Sequence, residues 1–296
     1  MKTTTLAALL VFGSQGAWAA ETASFLDIGV GARALGMGGA YTALADDANS
    51  LYWNPAGLSR LDKREFTASH AELFESTRLD FLAYAHPTPQ GTVAAGLTYL
   101  SQSKIDGRDE RGRPTAGYDA SDAALSLGFA RKLEAADLGA AFKYLRSHIG
   151  SSEASGVAVD LGAKRAFNRV SVGAALRNLG PGLKFDDQRN DLPLRLAVGA
   201  AYKFPGGHAV AAEAVNGPRG TGTGVSFGGE HQTVKNLYLR AGYTTRAAVT
   251  GGSDFDAARG LTFGLGLRNE KWSLDYAILP SGELGRSHRF SLSVRW

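Results

Sequence analysis

The chain has 296 residues, 44% of them hydrophobic and 20% charged, enough to bury a core as one large domain or two small ones. Lys and Arg total 32 against 28 Asp and Glu, a formal charge of +4 spread without runs, which leaves no basic footprint for nucleic acid. Cysteine is absent, excluding disulfides, thiolate chemistry and acylation at cysteine, and the 38 glycines follow no G-X-Y period, excluding collagen.

Residues 1–19 read as a signal peptide. Lys2 supplies the positive end, Leu6 to Phe12 an apolar stretch too short to span a bilayer, and Ala17-Trp18-Ala19 an A-x-A cleavage site. The mature chain is expected to begin at Ala20. Beyond it no apolar run is long enough for a transmembrane helix, so an exported chain of this composition is soluble or a membrane β-barrel.

Residues 20–64 are expected to form a plug or hatch. Gly29, Gly31, Gly36, Gly38 and Gly39 crowd together here without making G-x-G-x-x-G, and no P-loop lysine follows, so a nucleotide site is not expected. Asp46 or Asp47 can cap a short helix reaching about Tyr52, and Asn54-Pro55-Ala56-Gly57 forces a turn. Gly36, Gly38 and Gly39 would let this segment approach other backbone closely.

From residue 65 to 296 the dominant period is two, as in Leu261-Phe263-Leu265-Leu267 against Thr262, Gly264, Gly266 and Arg268. Such segments fall at about 65–73, 77–86, 91–101, 118–131, 135–146, 155–165, 169–178, 193–203, 207–216, 223–234, 236–245, 259–268, 270–279 and 286–295. The even count of fourteen predicts an all-β fold, an antiparallel transmembrane β-barrel with its last strand paired to its first and both mature termini on the periplasmic side. Ten residues per strand, tilted by about 40°, give roughly 25 Å, the height of an outer-membrane apolar band. One face of each strand is aliphatic or aromatic and the other is crowded with Gly, Ala and Ser, which fits a lipid-facing exterior and a lumen filled by something other than wall side chains. Asp160, Lys164, Arg177, Arg195, Lys203, Arg240, Arg268, Asp275, Arg289 and Arg295 share the lumen parity. Their basic excess is open to two uses, attracting a carboxylate substrate or pairing with Asp46, Asp47 and other hatch residues. The chain ends on Phe290, Leu292, Val294 and Trp296 along one strand face, which resembles the terminal signal by which the barrel assembly machinery recognises outer-membrane proteins.

Little points to catalysis. The six histidines form neither H-x-x-x-H nor H-E-x-x-H, and the loop carboxylates lack calcium-loop spacing, so no enzyme activity, metal site or cofactor is expected.

The stretch GARALGMGGAYTALADDANSLYWNPAGLSRL resembles the N-terminal signature of the PorV/PorQ-like outer-membrane family, itself similar to the FadL-like fatty-acid transporter barrels. VSVGAALRNLGPGLKF, LPLRLAVGAAYKF, NLYLRAGY and LDYAILPSGELGRSHRFSLS extend the resemblance over nearly the whole mature chain. It implies a fourteen-stranded barrel with an N-terminal hatch in the outer membrane of a Gram-negative-type cell, with outer-membrane lipid as its surroundings. It also implies one of two roles: passive transport of hydrophobic small molecules, or service to secreted proteins in type IX-like secretion.

Overall fold

A computed structural model describes residues 22–73, 76–108, 111–185, 188–218, 222–246, 260–280 and 286–296; the expected signal peptide lies outside the described residues. The wall begins with β1 (Glu65–Glu72), β2 (Thr77–Thr88), β3 (Gly91–Arg108), β4 (Pro114–Lys132), β5 (Asp137–Ile149), β6 (Ser152–Phe167) and β7 (Val170–Leu179). A small hairpin, β8 (Leu183–Phe185) with β9 (Gln188–Asn190), follows as a separate two-stranded sheet packed against β6. The wall resumes with β10 (Arg195–Lys203), β11 (Ala209–Gly217), β12 (Gly222–Val234), β13 (Leu237–Thr244), β14 (Leu261–Arg268), β15 (Trp272–Pro280) and β16 (Arg286–Arg295). These fourteen wall strands close into an antiparallel barrel, and the seam pairs Glu65 with Arg295 and Glu72 with His288. The hairpin β8–β9 was not anticipated, because residues 180–194 carry no sustained alternation.

Alternation explains why each strand sits as it does. On β16, Phe290 and Leu292 are 50% and 47% exposed while Arg289 and Ser291 between them are 6% and 5% exposed. Such inversion of the soluble pattern is what a lipid-facing wall requires, and a slip of one residue in β16 would turn Arg289 and Arg295 toward hydrocarbon. At one rim the strands join through two to five residues, including the two-residue turns Asn168-Arg169 and Lys235-Asn236, in which each asparagine takes the left-handed φ (56° and 71°) that such hairpins demand. Connections at the other rim range from two residues (150–151) to the two longest of the wall, residues 180–194 and 245–260. Short turns belong to the periplasmic side of outer-membrane barrels and long loops to the outer side.

Trp296 lies at the short-turn rim, where its backbone pairs with Arg64. Thr22, however, donates to the Asp191 carbonyl beside the β8–β9 hairpin, at the opposite rim. The expectation that both mature termini share one side is therefore corrected: an even strand count fixes the ends of the wall and says nothing about which way the segment preceding it runs. An epitope inserted after Ala20 should accordingly be reached by antibody on intact cells, whereas one appended after Trp296 should require permeabilisation. Equal protection of both tags would refute this placement of the N-terminus.

Candidate functional site in the barrel lumen

The segment from Thr22 to Leu61 descends the inside of the barrel from the outer rim to the start of β1. Phe25 and Leu26 pack with Leu145, Leu183 and Leu192 beneath the hairpin. Asp27 then places its carboxylate between Arg195, 3.0 Å away, and Arg246. Lower down, the Ala32 amide donates to Ser291 Oγ at 2.8 Å, that of Gly38 to Thr262 Oγ1 at 3.0 Å, and those of Tyr41 and Thr42 to Glu213 Oε2 at 2.9 and 2.8 Å. Near the periplasmic rim Lys203 pairs with Asp46 at 2.7 Å, Asn54 Nδ2 donates to the Ala163 carbonyl at 3.2 Å, and Arg60 pairs with Asp137.

Two short helices, α1 (Ala32–Leu35) and α2 (Ser50–Trp53), and a 3-10 turn over Pro55–Arg60 shape the segment. The helix expected to reach Tyr52 is thus later and shorter than foreseen, and α1 was missed among its glycines. Asp47 spends its carboxylate on the Asn49 amide at 3.0 Å and the Tyr41 hydroxyl at 2.6 Å. The Asn54-Pro55-Ala56-Gly57 turn is fixed by Asn54 Oδ1, which accepts from the Ala56 amide at 3.1 Å. Gly38 has φ of +67° and sits against the backbone of Phe227 and Tyr243, so only glycine serves there; Gly36 abuts Gly264 of the wall, and Gly39 faces Trp53.

Arg33 of α1 is the hub of the buried ionic network, reaching Asp46 at 2.6 Å and Glu230 at 3.1 Å. Glu230 also meets Arg240 at 2.7 Å, Arg240 meets Asp275 at 2.7 Å, and Arg268 stands 3.7 Å from Glu230. Asp160 pairs with Lys143 at 2.6 Å and accepts from the Asn178 amide at 2.7 Å, while Lys164 donates to the Ala45 carbonyl at 2.5 Å. Arg177 lies over the rings of Tyr52 and Trp53. Arg289 is buried beside Gly29 to Ala32, and Arg295 reaches Glu65 at 2.9 Å. Lys203 has the inward parity but lies at a strand end with its side chain 50% exposed. Among the described wall residues, the buried Glu65, Asp137, Asp160, Glu213, Glu230 and Asp275 match the buried Lys143, Lys164, Arg177, Arg195, Arg240 and Arg289 in number, and the less buried Arg268, Arg295 and Lys203 add to the basic side, with Asp27 and Asp46 of the segment as partners for Arg195 and Lys203. Lys143, Glu213 and Glu230 were missed although their inward parity was readable.

Burial opposes ionisation of Asp46, but Arg33, followed by Lys203 and Lys164, holds its carboxyl well below the usual range. Asp27 is likewise lowered against the burial penalty, by Arg246, Arg195 and Arg177. A depressed carboxylate contributes stability that is complete above its unfolded pKa of about 3.9 and is lost as pH falls toward the folded value. Loss of the Asp27 and Asp46 pairs should therefore register as a change in Trp53 fluorescence below about pH 4. Fluorescence unchanged from pH 5 to pH 2 would show that these carboxylates do not hold the segment.

Between the segment and β10–β15 lies a cavity of about 310 Å3. Leu35, Trp53, Val215 and Leu279 give it apolar walls, and Asp27, Arg195 and Arg246 close its polar side. The volume is at the small end of ligand pockets, enough for a one-ring hydrocarbon and too small for a folded peptide.

Known proteins with this architecture include the Pseudomonas putida toluene transporter TodX, at 16% identity and TM-score 0.61, covering 95% of this chain and 98% of that one. The Ralstonia pickettii toluene transporter TbuX is similar at 13% identity and TM-score 0.63, covering 90% and 98%, and a Pseudomonas aeruginosa FadL homologue at 13% and 0.60, covering 90% and 98%. At such identities these likenesses establish the fold. No curated protein matches the chain. The family described as "Type IX secretion system protein PorV" matches residues 15–208, about two thirds of the sequence and including the lumenal segment. With its closed fourteen-stranded wall and inverted polarity, the chain belongs to the PorV family of outer-membrane β-barrels.

Proposed function

We propose that the barrel is a non-catalytic, passive conduit for hydrophobic small molecules, with residues 25–60 as its hatch. The observation that carries this is the half-apolar cavity between the hatch and the wall, sized for a single ring or a short chain. Transport of toluene by the similarly folded TodX and TbuX supports the ligand class without assigning it. A ligand entering from the outer rim would displace water from Leu35, Trp53, Val215 and Leu279, and diffusion down its gradient would drive passage. The family match favours a second reading, in which the outer rim contacts exported proteins in a type IX-like pathway.

Trp53 is an internal reporter. With Trp272 and Trp296 changed to Phe, a monoaromatic hydrocarbon should quench its fluorescence saturably, and Val215→Trp, which fills the cavity, should abolish the quenching. Proteoliposomes should take up the same compound faster than empty vesicles. Uptake equal to that of empty vesicles, with no saturable quenching, would exclude the conduit and leave the secretion reading.

A further inference from the structure

Among the described residues, every buried cation of the wall but one meets a partner. Lys143 has Asp160, Lys164 the Ala45 carbonyl, Arg195 Asp27, and Arg240 both Glu230 and Asp275. Arg177, two of whose nitrogens lack acceptors, lies over the rings of Tyr52 and Trp53. Arg289, 6% exposed on the inward face of β16, pairs with no described carboxylate or ring, and its Nε and Nη1 meet no hydrogen-bond acceptor.

Its surroundings give the reason. In register beside it stand Ala71 of β1 and Ala277 of β15, which offer no side-chain acceptor. On the hatch, the carbonyls of Val30, Gly31 and Ala32 already accept from Trp53 Nε1 and from the amides of Leu35 and Gly36. Arg289 instead lines a cavity of about 10 Å3 between hatch and wall, together with Gly29, Gly31, Leu35, Ser69 and Leu79. That is about the room one water or one monatomic ion takes. The guanidinium can only donate and the Ser69 hydroxyl can donate, while no carboxylate borders the space. A buried charge is costly unless it is paired. Water there would accept a hydrogen bond and leave the charge uncompensated.

We propose that this cavity is a halide site, filled by chloride in the cell envelope, with Arg289 as its charged ligand and Ser69 as a second donor. Sulfate, phosphate and carboxylates are too large for it. The ion ties Gly29 to Ala32 of the hatch to β16 and β1, on the side of the lumen that the Arg33 network does not serve. This role is independent of what passes through the larger cavity against β10–β15.

Gly29 borders the site and abuts the Trp53 ring, so a bromide bound there lies near an internal fluorophore. With Trp272 and Trp296 changed to Phe, bromide titrated into sulfate buffer at constant ionic strength should quench Trp53 saturably, and chloride should reverse the quenching by competition. Replacing sulfate with chloride should also raise the thermal unfolding midpoint. Arg289→Met, similar in length and uncharged, should lose all three responses, with heat-modifiable gel mobility confirming a folded barrel. Crystals of the parent grown in bromide should show an anomalous peak beside the Arg289 guanidinium, and the parent's titration and peak decide the matter even if the variant does not fold. Bromide peaks elsewhere with none at Arg289 would overturn the proposal. So would quenching that rises without saturating, or saturable quenching that survives Arg289→Met.

Discussion

Deleting residues 25–53 should convert a closed barrel into a steadily conducting one. The fourteen strands hydrogen-bond to one another all round, and none of that ladder depends on the deleted segment. What the deletion removes is the material filling a lumen too wide for wall side chains alone. The inner face carries charges of both signs, with Glu213, Glu230 and Lys164 losing hatch partners but gaining water. An uncompensated buried charge costs several kcal/mol, whereas the same group in an open aqueous lumen is solvated, so the wall should survive. Planar bilayers should record little or no current for the intact chain and large, stable currents for the deletion, with heat-modifiable mobility verifying that both are folded. Indistinguishable conductance of two folded proteins would mean that residues 25–53 do not occlude the pore, and the hatch would have to be abandoned. Loss of folding in the deletion would be informative through Arg33→Ala. Removing that hub breaks buried pairs to Asp46 and Glu230, an effect on the order of 3–5 kcal/mol on hatch docking, while leaving every strand intact.

The wall was legible in the sequence to within about four residues, except that β3 runs on from residue 101 to Arg108, because period two with reversed polarity has few other physical meanings. Phe263 and Leu265 outward against Thr262 inward specify both strand and face at once. The seam was also foreseeable, since the strand-like end His288–Trp296 had to pair with the first strand once the wall closed. The lumen was less readable. Gly36, Gly38 and Gly39 announced close backbone approach without saying to what, and their partners Gly264, Tyr243 and Trp53 lie far away in sequence or on the segment's own later turn. Glu213 and Glu230 stand on the inward parity of β11 and β12, so the alternation that exposed the arginines could have exposed their counter-ions. Thr22 at the outer rim, by contrast, depends on tertiary packing of Phe25 and Leu26 beneath a hairpin that carries no periodic signal.

The close approach of hatch and wall leads to a single-residue test, Gly242→Val. Gly242 lies on β13 with its hydrogens toward the lumen, and a Cβ there would run into the Gly38 amide nitrogen and the Met37 carbonyl carbon. These are backbone atoms held by the Gly38 amide on Thr262 Oγ1 at 3.0 Å, so they cannot rotate aside as a side-chain tip would. For the strand itself valine is favourable, being β-branched and suited to a pleated wall. The substitution therefore sets the wall's preference against hatch docking, and overpacking of this kind costs about 1–3 kcal/mol, which the segment can relieve by backing away. The expected result is a barrel that folds and resists heat at least as well as the parent but conducts intermittently, with Arg33 newly open to trypsin. Ala241→Val, one residue away on the exposed lipid face, should change neither conductance nor cleavage. If Gly242→Val stays as silent and as protease-resistant as Ala241→Val, the hatch does not press on β13 at this point, and the role assigned to Gly38 falls with it.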